Sequence, residues 1–134
     1  MTSIVDIEGV GDVYEVKLKE AGISTVEAML QACTTPQGRK DLAATTGISD
    51  KLILEWANRA DLARIKGVST QYSDLLEAAG VDTVPELAQR NPQNLYQAMV
   101  STNESKSIVR KLPTENQVAD WVKQAKGLPR ALTY

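Results

Sequence analysis

Apolar residues recur along this chain at spacings of three and four, separated by short polar interruptions, and no stretch alternates apolar with polar residues at a period of two. The pattern predicts helices throughout and no sheet. The expected helices lie near 12–21, 25–33, 36–45 and 50–62, then near 70–79, 84–90, 92–101 and 115–126, with a further helical stretch near 104–111. Their ends are marked by residue types with a mechanical reason to be there. Ser24-x-x-Glu27, Thr83-x-x-Glu86 and Thr114-x-x-Gln117 read as capping boxes. Thr35-Pro36 and Asn91-Pro92 each set a capping side chain before a proline at the first helical position. Gly22, Gly47 and Gly80 suit the left-handed residue that closes a helix. Pro129 discourages helix in the tail, so Gly127 to Tyr134 is expected to run as an extended strap.

The helices fall into two copies. At a constant offset of 58, Ile7-Glu8-Gly9-Val10-Gly11 maps onto Ile65-Lys66-Gly67-Val68-Ser69, Tyr14 onto Tyr72, Leu18 onto Leu76, Ala21-Gly22-Ile23 onto Ala79-Gly80-Val81, and Met29 onto Leu87. Trp56-x-x-x-Ala60 maps onto Trp121-x-x-x-Ala125 at an offset of 65, so about seven residues are inserted in the second copy, near 101–111. Repeat 1 is expected to span 1–62 and repeat 2 to span 63–134, in a compact pseudo-twofold, all-α arrangement of eight to nine short helices. With no Phe and few aromatics, Trp56 and Trp121 are expected to anchor the cores, with Tyr14 and Tyr72 packed beneath the turns.

Composition narrows the chemistry. The chain has one cysteine and no histidine, which removes the common zinc and iron–sulfur spacings and any internal disulfide. Cys33 reads as a buried small apolar residue. No base stands near that thiol in sequence, and the carboxylates are explained by caps and solvated faces, so no enzyme is expected and no small-molecule substrate is evident. Asp6, Glu8 and Asp12 lack the spacing of a calcium loop, and no metal or cofactor is expected. The start Met1-Thr2-Ser3-Ile4 has no signal-peptide pattern and no stretch is long enough to span a membrane, which with the lone cysteine leads to the expectation of a cytoplasmic protein.

The segment Ile7 to Leu18 resembles the helix-hairpin-helix signature, in which an apolar residue, Gly, an apolar residue and Gly open a helix. Gly47-Ile48-Ser49-Asp50 is a weaker turn of the same kind. The whole chain is similar to an uncharacterised bacterial family with two such repeats, including Leu54 to Leu62 and Leu128-Pro129-Arg130. The hairpin resemblance implies contact with a DNA backbone without reading of base sequence, and the family resemblance brings no function with it. The physical basis is the unpaired N–H groups and the positive end of the helix dipole after a glycine turn.

The two hairpins differ. Gly9 and Gly11 form the first turn, but Glu8 and Asp12 beside them would repel a phosphate. Arg64, Lys66, Gly67, Ser69 and Thr70 form the second, with bases and hydroxyl donors. Net charge is −2 overall, distributed as −4 over 1–33, +2 over 34–66, −3 over 67–100 and +3 over 101–134. Arg39, Lys40, Arg59, Arg64 and Lys66 make one candidate basic patch, and Lys106, Arg110 and Lys111 another. The leading expectation is a non-enzymatic scaffold that binds nucleic acid through the second hairpin. The alternative is a protein-interaction or assembly module, favoured by the overall negative charge and the acidic first hairpin.

Overall fold

The structure, a computed structural model, describes residues 3–7 and 9–133, and the side chain of Thr70 lies outside that description. Among the described residues eight α-helices follow one another: α1 (Asp12–Glu20), α2 (Val26–Ala32), α3 (Pro36–Thr46), α4 (Asp50–Leu62), α5 (Thr70–Ala78), α6 (Val84–Ala88), α7 (Pro92–Lys106) and α8 (Glu115–Gly127). A 3-10 turn at Ile4–Asp6 precedes them, and the only extended pairing among the described residues is an isolated bridge between Ser3 and Thr25. The fold is all-α, as the spacing of apolar positions predicts.

Most of the predicted punctuation is present. Thr114 and Gln117 form a reciprocal capping box at α8. Thr35 accepts from the Gly38 amide and Asn91 from the Asn94 amide, each just ahead of its proline. The first expected box is shifted by one residue: Thr25, not Ser24, caps α2 by accepting from Ala28 N. Thr25 is also the residue that maps onto Thr83 at the offset of 58. At α6 the Thr83 hydroxyl turns to the Glu86 carboxylate, 3.2 Å away, instead of taking a backbone amide.

The expected helix over 104–111 does not form. Instead α7 runs on to Lys106, and Ser107 then adopts a left-handed conformation (φ 51°) that ends it. The chain crosses from 107 to 114 without helix. Asn103 fixes the crossing by bonding both backbone groups of Val109: its Oδ1 accepts from Val109 N at 2.9 Å and its Nδ2 donates to Val109 O at 3.1 Å. Those two bonds use the Val109 groups that helix continuation would need.

The chain divides into two units, residues 1–61 with 131–134, and residues 62–130. The boundary falls in the last turn of α4. The described tail residues 131–133 group with unit 1, where the repeat boundary predicts them in repeat 2. In unit 1 the core gathers Ile4, Leu18, Met29, Cys33, Ile53 and Trp56, closed by Leu132 from the tail. In unit 2 Leu75, Leu76, Leu87, Leu95, Met99 and Trp121 do the same, with α8 packed on α6 and α7.

Each unit contains the same glycine–tryptophan–tyrosine arrangement. Gly9 (φ +92°) sits over Trp56, and a Cβ on it would lie 3.3 Å from the indole Nε1. Gly67 (φ +94°) sits over Trp121, where a Cβ would lie 3.0 Å from Nε1. Tyr14 meets Trp56 with ring centroids 5.2 Å apart, and Tyr72 meets Trp121 at 5.4 Å. Both glycines are favoured for two reasons at once: a positive φ that other residues adopt only with strain, and an indole edge that leaves a Cβ only a tight fit.

Candidate functional site

The candidate residues of the second hairpin are held by local bonds. Gly67 and Val68 turn the chain, and Ser69 caps α5, its hydroxyl oxygen accepting from Tyr72 N at 3.3 Å. The next amide, Ser73 N, is taken by Ser69 O at 2.8 Å. The Gln71 amide has no acceptor among the described residues. Thr70 opens α5, and the candidate role of its hydroxyl lies outside the described side chains. Lys66 is anchored by its backbone only: Gln124 accepts from Lys66 N at 2.9 Å and donates to Lys66 O at 3.1 Å. Its side chain is exposed. Arg64 lies half-buried, donating Nη1 to the Pro129 carbonyl at 2.9 Å.

Two depressions flank this turn within unit 2. One, about 440 Å³ in volume, is lined by Ser69, Gln71, Tyr72, Ser107, Ile108, Arg110 and Lys111. It joins the start of α5 to the inserted segment, and the Tyr72 hydroxyl donates to Lys111 O at 3.1 Å to tie the two together. Among the described residues its lining has two cations and no acid. The other, about 390 Å³, is lined by Arg64, Lys66 and Lys123, but Asp120 stands among them with its carboxylate on Gln124. The side chains give both linings a net +2, but in the first no carboxylate stands among the described lining residues and the cations face the first turn of α5.

The remaining candidates separate. Arg39 is not a surface cation. It is 8% exposed, with Nη1 donating to Cys33 O at 2.8 Å and Nη2 to Thr133 O at 2.7 Å. It serves as an internal clamp, because a buried guanidinium is held by the carbonyls around it. Lys40 is exposed on α3 in unit 1. Lys106 ends α7, exposed, and is not among the residues lining either depression. Gly9 and Gly11 form the first turn, where Gly11 caps α1 with no side-chain bond. Glu8, expected to repel a phosphate there, lies outside the described residues. Sequence reasoning missed the roles of Gln71 and Asn103, since neither carries a local signal: one lines the depression and the other shapes its far wall from α7.

Cys33 is fully buried, and burial pushes its thiol up to about 11, with the Arg39 guanidinium pulling it partly back. At neutral pH it is a protonated, shielded thiol. Native protein should therefore resist a water-soluble disulfide reagent that modifies it promptly in denaturant. Because the folded-state value lies above the unfolded one of 9.0, this thiol's contribution to stability is intact below pH 9 and is lost as pH rises from 9 to about 11. Denaturation midpoints of wild type and Cys33→Ala across that range would show the loss in wild type only.

Among the described residues no group of three or more potential metal ligands comes together, and no helix is long and apolar enough to cross a membrane. An all-helical chain in two units, each with a glycine turn seated on a buried tryptophan, is thus the class of protein the fold defines. It belongs to the family described as a domain of unknown function (DUF4332), whose model matches residues 8–128. No curated protein and no solved structure matches it.

Proposed function

We propose that the protein is a non-catalytic, sequence-independent binder of nucleic-acid backbone, and that unit 2 makes the contact. The observation that carries this reading is the joining of Ser69 and the first turn of α5 with Arg110 and Lys111 around one depression with no acid among its described lining residues. A glycine turn that opens a helix offers amides and a positive dipole end, and the two cations add the charge that a phosphate needs. Charge partition supports the same unit: residues 62–130 hold nine Lys and Arg against seven Asp and Glu, while the rest of the chain holds six against ten. Lys66, on the other side of the turn, extends the contact along the backbone. The helix-hairpin-helix reading of both turns belongs to this proposal. It is supported by the matching positive-φ glycines and capped helices of the two copies. So does a cytoplasmic setting, supported by the single unpaired thiol.

Fluorescence anisotropy with labelled single-stranded, duplex and branched DNA tests it. Affinity is expected to fall linearly with salt on logarithmic axes. Arg110→Glu combined with Lys111→Glu should weaken binding about tenfold or more and flatten the salt slope by about two. Lys66→Glu should weaken it less, and Lys40→Glu in unit 1 least. Absence of binding at low salt for all three forms of DNA would reject the proposal.

A further inference from the structure

The two units treat the start of their first helix differently. In unit 2 eight residues, 107–114, connect α7 to α8, and the segment Ser107–Lys111 lies beside the first turn of α5. Ile108 and Val109 pack on the unit 2 core, the Tyr72 hydroxyl donates to Lys111 O, and Arg110 and Lys111 point their charge outward as exposed residues. In unit 1 only three residues, 47–49, connect α3 to α4. No such segment is available there. At the offset of 58, the residues Ser69, Gln71 and Tyr72 correspond to Gly11, Val13 and Tyr14.

That surface of α1 has the composition of a covered one. Val13 is 68% exposed and Val16 is 55% exposed, three residues apart and so on one face of the helix. Their counterparts in α5 are Gln71 and Asp74. Tyr14 is half-buried on Trp56, and its hydroxyl has no hydrogen-bond partner among the described residues, whereas that of Tyr72 holds a backbone carbonyl. Asp12 and Glu15 flank the valines. Glu15 is paired with Lys19 at 3.3 Å and Lys17 lies 6.0 Å from the Tyr14 ring centroid, yet unit 1 as a whole has four more acids than bases.

We infer that the α1 face of unit 1 is a docking site for an extended segment of a partner protein with the apolar–apolar–basic–basic pattern that Ile108-Val109-Arg110-Lys111 supplies within unit 2. The partner's apolar side chains cover Val13 and Val16, one of its backbone carbonyls accepts from the Tyr14 hydroxyl, and its bases meet Asp12 and Glu15. Unit 2 is the template for the tyrosine–carbonyl bond and for the segment's position at the helix start, while the exposed valines and the acids of α1 call for the apolar and basic side chains. The inference is independent of the nucleic-acid reading, since it uses the other unit and the opposite charge.

The test is a labelled peptide with the sequence of residues 105–113, titrated with the full chain and read by anisotropy. Saturable binding is expected. Val13→Asp combined with Val16→Asp should weaken it about tenfold or more, and Tyr14→Phe should weaken it about threefold. The two valines are exposed, so circular dichroism melts should stay at the wild-type midpoint. A peptide carrying Arg110→Glu and Lys111→Glu should bind at least about tenfold more weakly. No binding up to about 1 mM peptide would overturn the inference. So would affinity unchanged by the double valine variant, which would put the peptide on unit 2. Self-association of the wild-type chain that the valine variant abolishes would also overturn it, by making the occupant a second copy.

Discussion

Trp121→Ala is expected to cost about 3–5 kcal/mol and to leave residues 62–130 largely unfolded at room temperature. The indole is 1% exposed and sits at the centre of unit 2, with the Tyr72 ring 5.4 Å away and the Gly67 backbone against its Nε1 edge. Removing it opens a cavity beneath the turn and takes away the surface on which that turn rests. A unit of this size has little stability to spare, so the loss is comparable with the whole. The measurement is urea denaturation followed by circular dichroism, with the fluorescence of the remaining Trp56 reporting unit 1 separately. Trp56→Ala should behave in the same way for unit 1. Gly67→Ala should act in the same direction by about 1–2 kcal/mol, since it forces an L side chain into positive φ. A Trp121→Ala cost below about 1 kcal/mol would show that the indole does not organise the unit.

Arg39→Ala is expected to destabilise unit 1 by about 2–4 kcal/mol, through the buried Cys33 carbonyl and the part-buried Thr133 carbonyl, which both lose a charged donor. The guanidinium joins Cys33 O at the end of α2 to Thr133 O in the tail, and the tail also gives Thr133 N to Thr34 O at 2.8 Å while seating Leu132 in the core. Truncation after Arg130 should cost a similar amount. The double change should cost clearly less than the sum, because both remove one shared contact. Arg39→Lys should recover only part of the stability, since an ammonium lacks the fork that spans two carbonyls. The same substitutions separate structure from binding. Arg39→Ala should leave DNA affinity of the folded fraction near wild type, while Arg110→Glu with Lys111→Glu should lower affinity and leave the melt unchanged.

The contrast between Arg39 and Arg110 shows where sequence reasoning is strong and where it stops. Both are basic residues in a locally basic stretch, and nothing within four positions of either distinguishes them. One is an internal clamp because Thr133, 94 residues away in the chain, brings it a carbonyl. The other is exposed because Asn103 and Tyr72 hold its segment across the start of α5. The unformed helix near 104–111 has the same origin: its composition permits helix, and a side chain from α7 claims the backbone of Val109 first.

What the sequence determined by itself was whatever depends on neighbours within one or two helical turns. The helices α1 to α6 and α8, the proline-led starts at Thr35 and Asn91, the left-handed glycines and the offset that pairs Gly9 with Gly67 are all written in residue types a few positions apart. The tertiary structure decided which of the equivalent features differ in use. It buried Arg39, returned the tail to unit 1, laid the inserted segment beside α5 and left the matching face of α1 bare. Each of those outcomes rests on contacts between residues far apart in sequence, where local propensity carries no information and packing with hydrogen bonding chooses the partner.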